Sequence, residues 1–167
     1  MQVQAGRIIR SAALLDNTNF EQTVIVISEH SGDGSIGYVF NQLFPRKFNE
    51  LAEFKDSIPI PLYAGGPVQT DRLYFMHCRP DLVPDGTLIA GNVYMGGDFK
   101  KAVQLLNTGK LSLHEVRLFI GYCGWDLLEL EEELEEGSWE LTNAPVELVF
   151  AATPEQLWQD LQIPSRQ

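Results

Sequence analysis

The chain has 167 residues, 44% hydrophobic and 21% charged, the make-up of one ordinary globular domain that buries roughly two-thirds of its unfolded surface. Lys and Arg number 12 against 23 Asp and Glu, a net charge of −11, and without any cluster of four or more basic residues direct nucleic-acid binding is disfavoured. Two cysteines exclude a disulfide framework, and the absence of a signal-peptide core or an apolar run of ~18 residues predicts a cytoplasmic protein not inserted in a membrane.

In chain order, residues 16–19 form a polar turn. Residues 23–28, nearly all β-branched, predict a buried strand. A Gly-containing loop over 29–34 and a strand over 35–40 complete a hairpin with a longer loop. Phe48, Leu51 and Phe54 at three-residue spacing predict a short helix over 45–54. Pro59 and Pro61 enforce an extended stretch to residue 64, and Gly65-Gly66-Pro67 reverses the chain. Residues 72–78 alternate as a strand, and 83–86 form a turn. Residues 87–90 and 93–95 are short strands about Gly91-Asn92.

Asp98 can cap a helix over 99–108, with Gly109 beyond its end. A strand over 113–122 leads to the best helix, 126–136. There Asp126 and Glu129 have capping-box spacing, and Gly137 is the left-handed exit. Leu127, Leu130 and Leu134 share one face of it, with Leu128 at the edge and glutamates over the rest. Residues 138–142 and 146–151 predict a strand pair, and Thr153-Pro154 opens a last helix. Clustered strands with helices between them indicate an α+β fold with a largely antiparallel sheet.

The chemical motifs are sparse. Cys123 stands at a strand-to-helix turn, where a nucleophile is sometimes presented. Trp125 replaces the second glycine of such an elbow, Asp126 adds negative charge, and no histidine adjoins, so a buried small side chain is the better reading. His30, His77 and His114 are isolated and none has metal-ligand spacing. Chain folding could bring His77 beside His30. Gly65-Gly66 could offer amides to an anion but lacks the phosphate-loop pattern. Glu135 and Glu136 oppose the dipole of their helix, which hints at a basic partner, although a solvated acidic face is the simpler account. No metal site and no cofactor is indicated.

Several segments together resemble the YqgE/AlgH family of bacterial proteins, from about Gly6 to Ile163. They are Asn19-Phe20 with Thr23-Val24; Glu29-His30 with Gly34, Gly37 and Asn41; Gly65-Gly66-Pro67; Asp71-Arg72 leading to His77; Gly121-Tyr122 and Trp125; Leu130-Glu131 with Glu133; and Trp139. The resemblance implies an α+β fold whose split sheet curls into an incomplete barrel flanked by helices. It implies no established activity beyond a regulatory label, drawn from a link to alginate control in one branch. Gln42, Cys123 and the pair Leu127-Leu128 depart from the family pattern, which favours a basic residue, Ala or Ser, and Gly-Gln before Leu-Glu.

The expected function is therefore non-enzymatic binding or regulation through a protein or small-molecule partner. The candidate site comprises Glu29, His30, Asn41, Gly65, Gly66, Arg72, His77 and Trp125. Arg72 would anchor an anion, the histidines would supply pH-sensitive hydrogen bonds, and Trp125 a flat apolar wall. A small hydrolase-like enzyme with His30 or His77 as base is the alternative. Transcriptional control, inherited from the family label, would act without direct DNA contact.

Overall fold

The computed structural model describes residues 2–161. Its elements are β1 (Ile8–Ser11), β2 (Val24–Ser31), β3 (Gly34–Val39), β4 (Leu62–Ala64), β5 (Val68–His77), β6 (Thr87–Ala90), β7 (Val93–Met95), α1 (Phe99–Asn107), β8 (Val116–Trp125), α2 (Glu129–Glu136), β9 (Trp139–Leu141) and α3 (Leu157–Asp160), with short 3-10 turns between them. One sheet of nine strands runs β6-β7-β5-β8-β3-β2-β1-β9, and β4 joins β8 from outside that path. Every pairing is antiparallel except β4 with β8. The sheet does not close: the fold is α+β, as expected. No helix among the described residues is long and apolar enough to cross a membrane.

Burial explains the apolar runs. In β2, Val24 and Val26 face one core with Tyr38, Phe40 and Val149, while Ile25 and Ile27 face another with Trp125, Leu130 and Trp139. A strand covered on both faces needs no polar alternation. A third core lies under α1, where Ala102, Leu105 and Leu106 pack on Leu62, Phe75 and Leu118. Asp98 caps α1 by accepting from the Lys101 amide at 3.0 Å.

β8 divides the sheet. Its first half pairs with β5 on one side and with β4 on the other, and at Cys123–Trp125 it pairs with β3. Glycines permit this crossing. A Cβ on Gly65 would lie 2.4 Å from the Gly121 carbonyl oxygen, and one on Gly121 would lie 2.4 Å from that of Gly66. Gly121 also has φ +74°, a region natural to glycine.

The N-terminal strand is enclosed. β1 pairs with β2 and, across most of the chain, with β9 (Ile9 opposite Leu141). Arg10 stacks 4.4 Å over the Trp158 ring and donates to the Trp158 carbonyl at 2.7 Å, and the Trp158 indole donates to the Ser11 carbonyl at 3.0 Å.

Several boundaries differ from expectation. The helix over 45–54 is two 3-10 turns, Phe48–Glu50 and Ala52–Phe54, broken by extended Leu51; three-residue spacing is the 3-10 period. The strand over 146–151 is a 3-10 turn, Val146–Phe150, burying Val146 and Val149 three apart. The first hairpin has a two-residue loop, because Ser31 already pairs with Gly34. The strand expected over 72–78 spans Val68–His77, and that over 113–122 spans Val116–Trp125. α2 starts only at Glu129, because Leu128 before it is left-handed at φ +65°. Leu127 and Leu128, placed on the helix by sequence, therefore precede it and are 58% and 53% exposed. Half of the capping box survives: Glu129 accepts from the Asp126 amide at 3.1 Å.

Candidate functional site

The C-terminal end of β8 and the facing side of α2 carry the densest polar and aromatic arrangement. Leu130, fully buried, seats α2 on the core, and Glu133, one turn on, faces the same way. Glu133 Oε1 accepts from both the Trp125 indole at 3.0 Å and the Trp139 indole at 2.9 Å. The two indoles meet edge to face at 6.2 Å, and Phe20 meets Trp139 similarly at 5.7 Å. One carboxylate thus fixes two buried rings through charge-assisted bonds.

Two clefts flank this end of β8. The first, about 520 Å³, is bordered by Glu29, Asp33 and Asp126 with Ser35, Ile36 and Tyr122. The second, about 330 Å³, is bordered by Glu129, Glu133 and Glu136 with Phe20, Trp125 and Trp139. Val68, Gly124 and Trp125 belong to both, so the clefts adjoin. Their lining holds six carboxylates and no Lys, Arg or His. Among the described residues no three His, Cys, Asp or Glu side chains gather as a metal would need.

Of the residues singled out by sequence, Glu29 and Trp125 share the first cleft. His30 stands beside it: its Nδ1 is 2.6 Å from the Ser35 hydroxyl and its Nε2 3.6 Å from a Glu131 carboxylate oxygen. Asn41 is buried, accepting from the Val24 amide and donating to the Gln22 carbonyl, both at 2.9 Å; it staples backbone. Gly65 donates to the Ile120 carbonyl at 2.8 Å and accepts from the Val39 amide at 2.9 Å. Gly66 packs on the Tyr122–Cys123 peptide. Both serve the chain crossing. Arg72 is exposed on β5.

His77 does not join His30. It pairs across from Val116 at the start of β8, whereas His30 is opposite Ser35, itself opposite Trp125 at the end. Nine positions along β8 separate the residues to which the two histidines are matched. His77 is fully buried, accepts from the Arg79 amide at Nδ1 and donates from Nε2 to the Gly96 carbonyl, each at 3.1 Å. Burial lowers its pKa, and the neutral ring has neither nitrogen to spare. Cys123 is buried as expected, with burial pushing its thiol up to about 12, the opposite of nucleophile activation.

Sequence reading did not place Ser35, Glu133, Trp139, Phe20 or Gly124 in the site. Glu133 and Trp139 were visible as motif residues, but nothing in linear order aims two indoles at one helical carboxylate.

Comparison with known proteins agrees with this architecture. Residues 8–163 match a family model described as AlgH-like. A UPF0301 protein of Chlorobium phaeobacteroides is 38% identical over 157 residues, 94% of this chain and 84% of its own length. The solution structure of the AlgH protein from Pseudomonas aeruginosa superposes with a TM-score of 0.74 at 26% identity, covering 96% of this chain and 90% of that one. A crystal structure of a protein from Corynebacterium diphtheriae, 23% identical with a TM-score of 0.76 over 96% and 86% of the two chains, shares the fold.

Proposed function

The chain belongs to the AlgH-like family, and we propose that it is a non-enzymatic binding or regulatory protein of the cytoplasm whose adjoining clefts hold a positively charged ligand or protein segment. The observation that carries this reading is the lining itself: six carboxylates, an aromatic wall and no cationic side chain. Each solvent-exposed ion pair contributes about 0.2–1 kcal/mol, so specificity needs the aromatic surface as well, where cations also find favourable ring faces. The same field repels duplex DNA, so a regulatory role would run through protein or metabolite contacts.

Calorimetric titration with octalysine tests the reading. Binding should be measurable near 20 mM salt and weaken at least tenfold at 0.5 M, where the screening length falls to about 4 Å; octaglutamate should not bind. An octalysine titration that shows no heat at low salt would sink the proposal.

A second reading rests on the Ser35–His30–Glu131 arrangement beside the first cleft. A serine hydroxyl within hydrogen-bond reach of an imidazole that also faces a carboxylate is the arrangement of an acyl-transfer nucleophile. A fluorophosphonate probe followed by peptide mass spectrometry decides it. Adduct on Ser35, lost in His30→Gln, would favour the hydrolase; native protein left unlabelled removes it.

A further inference from the structure

The two clefts share one strip of backbone. Past Tyr122, the only strand among the described residues that pairs with β8 is β3, through Cys123, Gly124 and Trp125. On the opposite edge Gly66 packs against Tyr122 and Cys123, and no strand follows it alongside Gly124 and Trp125.

Gly124 is the odd glycine of the sheet. Gly34, Gly37 and Gly121 each have a neighbour within 3.0 Å of where a Cβ would sit. Gly124 has an ordinary φ, is exposed between two buried residues, and a Cβ there would meet nothing nearer than the Tyr122 ring at 3.7 Å. A glycine weakens a strand, and in a strand it often marks where another backbone comes close. Nothing within the molecule requires it at this position.

From this juxtaposition we infer that the free edge of β8 at Gly124 receives an extended, lysine- or arginine-bearing segment of a partner protein, paired main chain to main chain. The inference rests on the cation-binding reading above and adds the occupant and its mode. Successive side chains of an added strand point to opposite faces. One face of this edge carries Ile36 and Tyr122 with Glu29, Asp33 and Asp126; the other carries Trp125 and Trp139 with Glu129, Glu133 and Glu136. A segment that alternates basic with apolar residues therefore sets its basic side chains together against the carboxylates of one face and its apolar side chains against the rings of the other. A second copy of this chain would bring −11 against −11. A small cation has no single focus among carboxylates divided between two faces. At the Asp126 end, exposed Leu127 and left-handed Leu128 add apolar surface for the partner's flanking residues.

The test uses a fluorescein-labelled octapeptide of alternating Lys and Val, read by anisotropy against the intact protein. Three comparisons accompany it: the same peptide with Pro replacing each Val, spermine as a small polycation, and the Gly124→Val variant. Valine suits a strand, and its Cβ has room, so folding should survive; Gly124→Ala is the milder companion, and the proline peptide needs no variant at all. We expect the Lys–Val peptide to bind, Gly124→Val to weaken it at least tenfold, and the proline peptide to bind as poorly as that variant does. Spermine should bind more weakly than the peptide and be indifferent to Gly124→Val. Equal peptide affinity for wild type and Gly124→Val, or equal affinity for the Val and Pro peptides, would overturn edge pairing while leaving cation binding intact. Failure of both peptides and spermine to bind would instead remove the reading beneath it.

Discussion

Glu133→Ala is expected to lower stability by about 2–3 kcal/mol, a drop of roughly 5–10 °C in melting temperature for a chain of this size. The truncation leaves two indole N–H groups without their acceptor, on rings that are only 8% and 2% exposed. Each orphaned buried donor costs about 1–3 kcal/mol, and water entering the adjoining cleft recovers part of that. Glu133→Gln keeps an oxygen in place and loses only the charge-assisted component, about 1 kcal/mol or less. The pair of variants thus separates fold from electrostatics: Gln should melt near wild type yet bind octalysine more weakly. Thermal melts by circular dichroism check the first expectation; coincident Ala and wild-type curves would show that the carboxylate does not hold the indoles.

Gly121→Ala should be costlier, about 3 kcal/mol or more. Its φ of +74° penalises any L side chain by roughly 1–2 kcal/mol. The new Cβ would also sit 2.4 Å from the Gly66 carbonyl oxygen and 3.0 Å from that of Val68. Backbone atoms tied into a sheet cannot swing aside as a side chain tip could, and overpacking alone costs about 1–3 kcal/mol. Urea unfolding would register the change as a lower midpoint with an unchanged slope. Gly124→Ala, three positions along the same strand, should move the midpoint hardly at all, so the contrast isolates the crossing from glycine content.

Much of the architecture was legible in the residues. The β-branched run at 23–28, the Asp98 cap and the Gly137 exit follow from local rules that tertiary packing did not contradict. What misled was periodicity of three, which serves both a short helix and a 3-10 turn: Phe48, Leu51 and Phe54 satisfy either reading until neighbouring strands are known, while the segment expected as a strand over 146–151 is a 3-10 turn that buries Val146 and Val149. β1 escaped because four residues, one of them Arg10, hold too little pattern to outweigh a loop. In the candidate site, Glu29 and Trp125 were anticipated as polar and aromatic groups at strand ends. Asn41 and His77 drew attention for the same reason, and Gly65 and Gly66 for the amides they could offer an anion, yet Asn41, His77 and Gly65 spend their polar groups on the protein's own backbone and Gly66 packs against the Tyr122–Cys123 peptide. Linear order cannot distinguish a group that faces a cleft from one that faces a carbonyl, and it cannot reveal that Gly124 lies bare where Gly121 is pinned.

The enclosure of β1 between β2 and β9 has a kinetic consequence during synthesis. Ile9 and Leu141 are 141 − 9 = 132 positions apart. At ~5–20 residues per second, the leading strand leaves the ribosome roughly 7–25 s before its second neighbour exists. Through that interval a hairpin of β-branched residues must persist with one flank unsatisfied, and late long-range pairing of this kind is slow in any chain. The finished protein hides its first strand; the nascent one has to be kept from sticking to others until the last third arrives.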